Sequence, residues 1–269
     1  MSNLISRLLV GLVGLPLVLG MVWLGGWWMF ALVLVAALVA VHEFVTMTRP
    51  LRPLAPALYI GVVLALVAAQ KSGLVWMLGG LLATFVLAFG ASALAKTCAP
   101  ATVAIGATVL GAAWIGFGLG HLLLLRDFHV HGRLITLAVL LTVWAADTFA
   151  YFGGRLVGRH KMAPTVSPGK TWEGFVFGSV AGVFVAFVTL YDTRRAYLAI
   201  WQAVVLGIVV VLASVIGDLF ESMLKRDMQV KDTGRLLGGH GGILDRVDAL
   251  LFAGPAAYYL VLAFGPHLH

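Results

Sequence analysis

Long apolar runs, separated by short polar turns, form the pattern of this chain. A helix that crosses a bilayer needs about 20 mainly apolar residues. The pattern predicts about nine such spans, near residues 4–24, 27–46, 57–69, 74–95, 101–125, 134–152, 175–191, 199–222 and 243–264. The first span is too long, and too poor in a small-residue cleavage site, for a removed signal peptide. The expected fold class is all-α, a polytopic integral membrane helical bundle of about nine transmembrane helices.

Composition supports this fold class and excludes others. The 269 residues are 61% hydrophobic and 11% charged, whereas about a quarter of the residues in a soluble domain are charged. The net charge of +7 fits anionic lipid and nucleotide, but no soluble segment is long enough to bind nucleic acid. The single cysteine, Cys98, excludes an internal disulfide and a cysteine metal cluster.

Basic residues predict the orientation in the membrane. With the N-terminus in the cytoplasm, 13 of the 18 lysines and arginines lie on the cytoplasmic side and five on the other. The positive-inside rule therefore favours this orientation, which places both long polar loops in the cytoplasm. We expect one integrated membrane domain in two parts. Residues 1–133 would pack, face lipid and offer contacts for a homodimer, which the sequence leaves open, and residues 134–269 would carry the two cytoplasmic catalytic loops.

The first five spans carry few polar groups. His42 and Glu43 end the second span just before two arginines, so a helix end paired with arginine is at least as good an interpretation as a site. Gly116, Gly118 and Gly120 resemble part of a dinucleotide-binding fingerprint, but no strand precedes them. Small residues there favour close helix packing.

The sixth span contains a carboxylate, Asp147, within the run LITLAVLLTVWAADTFAYF. A carboxylate inside an apolar span is costly and marks a functional site by default, although a structural pairing with a buried base stays open. Asp147, Tyr151 and Arg155 follow one another at helical spacing, so we expect them to form one stripe that faces the bundle interior.

The loop after this span reads GRLVGRHKMAPTVSPGKTWEG. Its Gly169, Lys170 and Thr171 resemble a P-loop, but the glycine that a P-loop requires five positions before Gly169 is Pro164, and no strand is expected to lead in. We therefore reject that interpretation. Ser167, Lys170 and Thr171 remain candidates for binding phosphate.

Charge is concentrated near the C-terminal end. Residues 218–248 hold 11 charged residues, although the whole chain has only 18 Lys and Arg and 11 Asp and Glu. The glycines of this segment allow tight turns and a close approach to a ligand. One helix face of the eighth span should present Ser214, Asp218, Glu221, Ser222 and Lys225. Asp218 and Asp245 could then meet from two helices as oxygen ligands for Mg²⁺. A solvated loop of positive-inside charges would need neither the carboxylates nor the glycines.

At these residues the chain resembles a known family. The pattern S-x-x-K-R-x4-K-D-x-G-x2-L-G-x-H-G-G-x-x-D-R-x-D, with SPGKTWEG and ADTFAYFGGRLVGRHK upstream, is similar to the signature of the phosphatidate cytidylyltransferases, the CDP-diacylglycerol synthases. The resemblance is strong from Asp147 onward and rests on hydropathy before it. Gly238 departs from the pattern, because many members carry proline there.

The resemblance implies a reaction in which CTP and phosphatidic acid give CDP-diacylglycerol and pyrophosphate with Mg²⁺, a second cation being left open. It also implies a bacterial cytoplasmic (inner) membrane, with CTP, phosphatidic acid and membrane lipids as partners and no nucleic acid. The predicted catalytic residues are Asp218, Asp245, Lys225, Arg226 and Lys170, and the predicted metal ligands are Asp218, Asp245 and Asp248. The predicted substrate-binding residues are Ser167, Thr171, Ser222, Lys231, Asp232, His240, Gly241, Gly242, Arg246 and Asp147.

Two other classes of protein and two other kinds of lipid enzyme are the alternatives. An ion-coupled transporter would also bury Asp147 and Asp218, but should have broken helices in related halves and polar groups along a full path. A non-catalytic scaffold would not need carboxylates inside apolar helices. A CTP-dependent lipid kinase, such as a polyprenol kinase, is the nearest enzyme alternative. The CDP-alcohol phosphotransferases fit less well, because their D-x2-D-G-x2-A-R spacing is absent.

Overall fold

The computed structural model describes residues 3–95, 100–128, 131–191, 198–234 and 241–264, with side chains from residue 13 onward. This part of the chain contains nine helices and one β-hairpin. The helices are α1 (Asn3–Leu24), α2 (Gly26–Met47), α3 (Ala55–Ser72), α4 (Leu74–Ala93), α5 (Ala101–Arg126), α6 (Gly132–Val157), α7 (Trp172–Tyr191), α8 (Ile200–Asp227) and α9 (Leu244–Ala263). Helices α2 to α9 are each long and apolar enough to cross a membrane, and Val13–Leu24 of α1 is a shorter apolar helix. The predicted fold class, a polytopic helical membrane protein, is confirmed.

Glycine separates the first two helices. Gly25 and Gly26 have φ angles of 68° and 50°, a region that residues with a side chain rarely occupy. Helix α5 is interrupted by a π-helical segment, Ala112–Phe117, which the sequence did not indicate.

The polar loop between α6 and α7 forms an antiparallel hairpin of β1 (Lys161–Ala163) and β2 (Ser167–Thr171). The expectation that no strand leads into α7 was therefore wrong. The P-loop interpretation still fails, because Lys170 lies within a paired strand and not in a loop whose amides surround a phosphate.

The chain divides into two compact units. Unit 1 contains the described residues of Met1–Leu124 and Asp227–Val247, and unit 2 contains those of Leu125–Arg226 and Asp248–His269. The predicted division at residue 133 stays a prediction.

Small residues bring the helices of unit 1 together. A Cβ at Gly80 of α4 would lie only 2.5 Å from the backbone nitrogen of Ala65 in α3. A Cβ at Gly116 of α5 would lie 3.2 Å from Cγ2 of Val62, also in α3. The interpretation of Gly116 as a packing residue, not part of a nucleotide fingerprint, is confirmed.

Glycines at successive turns of α7 allow its close contact with α6 in unit 2. Gly174 and Gly178 of α7 face carbonyl oxygens of α6, which a Cβ would approach to 2.6 and 2.5 Å. Gly217 of α8 likewise faces the carbonyl oxygen of Asp248 in α9, at 2.6 Å from a Cβ. These contacts let α8 and α9 run side by side where their carboxylates lie.

Candidate active site

Three carboxylates come together between α8 and α9 in unit 2, and we call Asp218, Glu221 and Asp248 the acidic cluster. Glu221 is 1% exposed and Asp248 is 8% exposed. Asp248 hydrogen-bonds to Glu221 and lies within electrostatic range of Asp218. Gly217 makes this proximity possible, because its missing side chain leaves room for the α9 backbone.

Two lysines neutralise part of this charge. Nζ of Lys170 on β2 lies 2.7 Å from Oδ2 of Asp218, and Nζ of Lys225 lies 2.6 Å from Oε2 of Glu221 one helical turn away. Ser222 donates to Oδ1 of Asp218 at 3.3 Å. The predicted polar face of the eighth span is therefore confirmed. Pairing across a loop, as between Lys170 and Asp218, does not follow from spacing along the chain.

The hairpin that carries Lys170 is fixed at both ends. Glu173 accepts hydrogen bonds from the backbone N–H groups of Arg159 and His160, at 3.1 and 3.2 Å. At the tip, Nε of Arg226 donates to the carbonyl oxygen of Val166 at 3.2 Å. Arg226, a predicted catalytic residue, thus also holds the hairpin against the end of α8.

Two predicted substrate ligands on this hairpin differ in their surroundings. The hydroxyl of Thr171 is buried and accepts the Gly174 N–H at 3.1 Å, so it caps the first turn of α7. Ser167 is half-buried at the start of β2.

The helical spacing suggested that the stripe on α6 faces the bundle interior. The structure shows that it does not. Asp147, Tyr151 and Arg155 are exposed, and Arg155 donates to the Tyr151 hydroxyl at 3.0 Å. The buried side of α6 is instead the small-residue side that receives the glycines of α7. Asp147 is still within electrostatic range of Asp248.

The second polar constellation lies in unit 1, around the start of α9. Oδ2 of Asp245 accepts the backbone N–H groups of Gly242 and Thr233, at 2.7 and 3.1 Å. Gly241 has a φ of 77°, which makes the tight turn before the helix. Asp245, a predicted metal ligand, therefore joins the two described ends of the glycine-rich loop, residues 231–234 and 241–246, which we call the loop ends.

Glu43 is the residue that sequence reasoning did not assign. It is 4% exposed, and its carboxylate accepts the backbone N–H groups of Ile243 and Leu244 at 3.1 and 2.8 Å. The sequence left a pairing with arginine and a site role open for this helix end, and the structure shows Glu43 bonded to amides at the start of α9. The only sequence signal was an acidic residue at the end of an apolar run.

The remaining predicted residues that the structure describes belong to unit 1. Lys231, Asp232 and Arg246 are exposed on the loop ends. His240 lies outside the described residues, as does Gly238. Asp218 belongs to unit 2 and Asp245 to unit 1, so a cation shared by these two residues stays a prediction.

Known proteins with similar sequences give this geometry a context. The sequence model of the cytidylyltransferase family matches residues 5–264. The chain belongs to the cytidylyltransferase family. This confirms the family resemblance and the predicted class of enzyme, a nucleotidyltransferase.

Relatives of this cytidylyltransferase come from several bacteria. It is 31% identical to the phosphatidate cytidylyltransferase of Staphylococcus haemolyticus over 260 residues, which cover 95% of this chain and 98% of that protein. It is 33% identical to the protein of that name from Mycobacterium bovis over 276 residues, covering 96% of this chain and 88% of the relative. A phosphatidate cytidylyltransferase of Haemophilus influenzae is 44% identical over 132 residues, and that match spans 46% of the relative.

The donor set of this cytidylyltransferase suits a hard divalent cation. Two carboxylates in hydrogen-bonding contact, Glu221 and Asp248, repel unless a proton or a cation lies between them. Carboxylate oxygens are the ligands that Mg²⁺ prefers. Within the described residues, however, no group of three or more His, Cys, Asp or Glu side chains forms a ready coordination shell. The acidic cluster therefore supplies suitable ligands and not a closed cage.

Proposed function

We propose that this chain transfers the cytidylyl group of CTP to phosphatidate, forming CDP-diacylglycerol and releasing pyrophosphate. The alignment of nearly the whole chain with relatives named phosphatidate cytidylyltransferase carries this proposal. The match of residues 5–264 to the cytidylyltransferase family supports the same chemistry.

The reaction needs charge neutralisation more than proton transfer. An ionised phosphate oxygen of phosphatidate forms a bond to the α-phosphorus of CTP. The bond from the α-phosphorus to the bridging oxygen breaks, and pyrophosphate leaves with the electron pair. Because the nucleophile is already anionic, no general base is required. The barrier lies in bringing two polyanions together and stabilising the leaving group.

Basic residues in each unit fit this requirement. Lys170 and Lys225 lie beside the acidic cluster, and Lys231 and Arg246 are exposed on the loop ends. We assign these cations to the phosphates of CTP and phosphatidate. Asp218 and Asp248, with Glu221 beside them, would hold Mg²⁺, which would supply charge neutralisation of the phosphates when bound.

We also propose that the hairpin and the loop ends face the cytoplasm of a bacterial inner membrane. The support is the 13-to-five distribution of basic residues in a chain with the N-terminus inside. This orientation places the cations on the side where CTP is available, while phosphatidate would enter from the surrounding lipid.

The decisive experiment follows the phosphorus atoms of CTP. The purified protein in detergent is incubated with phosphatidate, Mg²⁺ and CTP labelled at either the α- or the γ-phosphorus. We expect the α-label in the chloroform-soluble lipid and the γ-label in pyrophosphate. If only the γ-label enters the lipid, the protein is a lipid kinase. If neither label enters the lipid, the result favours the transporter alternative.

A further inference from the structure

Glu43 connects two segments that are 200 residues apart in the sequence. Its carboxylate lies at the N-terminus of α9, where it accepts the first two amide protons that the helix itself cannot bond. In many helices the residue just before the first turn supplies a side-chain oxygen that accepts an amide of that turn. Here the residue at that position, Ile243, has no such oxygen, and Glu43 of α2 serves instead.

The burial of Glu43 shows that the contact is built into unit 1. An ionised carboxylate that is 4% exposed requires compensation. Two charge-assisted hydrogen bonds and the positive end of the α9 dipole provide it. Phe44, the next residue of α2, is 0% exposed, so the backbone that carries Glu43 is anchored in packed apolar side chains.

Two glycines of the loop ends face the same carboxylate. A Cβ at Gly234 would meet Oε1 of Glu43, and a Cβ at Gly242 would meet Oε2, both closer than a carbon and an oxygen can approach. These glycines were expected to allow the approach of a ligand. In the structure they allow the approach of Glu43, which therefore contacts both loop ends at once.

We propose that Glu43 is a positioning residue that sets the backbone of the loop ends and, through it, the binding of the CTP phosphates. Glu43 accepts the amides of Ile243 and Leu244 and lies against Gly234 and Gly242. Asp245 accepts the amides of Thr233 and Gly242 and so links the two loop ends. The exposed cations Lys231 and Arg246 sit on this fixed backbone. This inference rests on the proposed function for its substrate, CTP.

The test compares Glu43→Gln with His42→Gln, the matched change at the exposed neighbouring residue. Glutamine keeps the size of the side chain, but its amide NH₂ would face a backbone N–H donor. We expect Glu43→Gln to raise the KM for CTP by about tenfold to a hundredfold, the effect of losing a hydrogen bond to a charged acceptor. The KM for phosphatidate should change by less than about threefold, and His42→Gln should match the wild type.

Hydrogen–deuterium exchange provides a readout that does not depend on activity. The amides of Ile243 and Leu244 should exchange faster in Glu43→Gln than in His42→Gln. If the wild-type protein makes no CDP-lipid, the proposed function fails, while exchange still reports on the contact between Glu43 and α9. Unchanged exchange in Glu43→Gln overturns the inference.

A second variant covers the case in which Glu43→Gln does not fold. Gly234→Ala keeps the buried charge and places a methyl group against the carboxylate, whereas Gly79→Ala meets nothing within 4 Å and serves as its control. Gly234→Ala should also raise the KM for CTP selectively. A fall in kcat with both KM values unchanged, in either variant, would mean that Glu43 only maintains the fold, and the inference would be wrong.

Discussion

Replacing Lys170 with methionine tests whether the ion pair with Asp218 belongs to the reaction. The change removes the ammonium group and keeps a long apolar side chain. The two side chains are 20% and 36% exposed, and Nζ and Oδ2 lie 2.7 Å apart. A hydrogen bond between charged groups contributes about 1.5–3 kcal/mol, and the exposure of Asp218 argues for about 2 kcal/mol after screening. Lost from the transition state, 2 kcal/mol corresponds to a fall of about 30-fold in kcat/KM.

The assay is CDP-lipid formation from α-labelled CTP by purified protein, with saturation curves for both substrates. Lys161→Met is the matched control, because Lys161 lies on the paired strand β1 and is exposed. It should stay within about twofold of the wild type, as surface substitutions usually do. Lys170→Arg should recover part of the activity because it keeps the charge.

A double-mutant cycle then separates the pair from its surroundings. Lys170→Met and Asp218→Asn are measured singly and together, and we expect a coupling energy above about 1 kcal/mol because the groups are in direct contact. Activity of Lys170→Met within threefold of the wild type would refute the reasoning. An equal loss in Lys161→Met would refute it too, since the effect would then belong to the hairpin and not to the ion pair.

Three further outcomes are expected. Asp248→Asn should lower turnover at least about a hundredfold in protein that remains monodisperse, because it removes a buried carboxylate that we propose as a metal ligand. Near-normal turnover would remove Asp248 from the site. Asp227→Cys at this exposed position, in a Cys98→Ser background, should resist an impermeant thiol reagent in intact cells and react after lysis. Labelling of intact cells would show that the orientation is the opposite of the predicted one. Gly178→Val should destabilise the protein by about 1–3 kcal/mol, because the new side chain would clash with a carbonyl oxygen of α6. Thermal unfolding in detergent measures this, with Gly79→Ala as the control. Equal melting temperatures of the two variants would contradict the described packing of α6 against α7.

The sequence predicted the helices well because hydropathy is a local property. Among the described residues, eight helices are long and apolar enough to span a membrane, and they lie close to the ranges expected from the apolar runs. The polar face of α8 was also predictable, since Glu221 and Lys225 meet through helical spacing alone. The hairpin was not, because strands of three and five polar or mixed residues have no hydrophobic alternation to reveal them.

The site was predictable as a set of residues but not as a set of contacts. Spacing placed Asp147 on a helical stripe, yet which side of α6 is buried depends on the glycines of α7. Thr233 shows the same limit. It lies in a polar stretch that suggests exposure, but it is 6% exposed and its backbone N–H donates to Asp245. A cysteine at Thr233 would therefore make a poor accessibility probe.

The link from Glu43 to α9 has a consequence for biosynthesis. The ribosome makes Glu43 about 200 residues before its partners, an interval of about 10–40 s at ordinary rates of elongation. During that time the carboxylate has neither of its two amide donors, and water at the membrane surface is its best substitute. Glu43 therefore obtains both donors only after residues 243 and 244 have been made. A nascent chain stalled before residue 243 would keep this carboxylate without the two amide donors that it has in the finished protein.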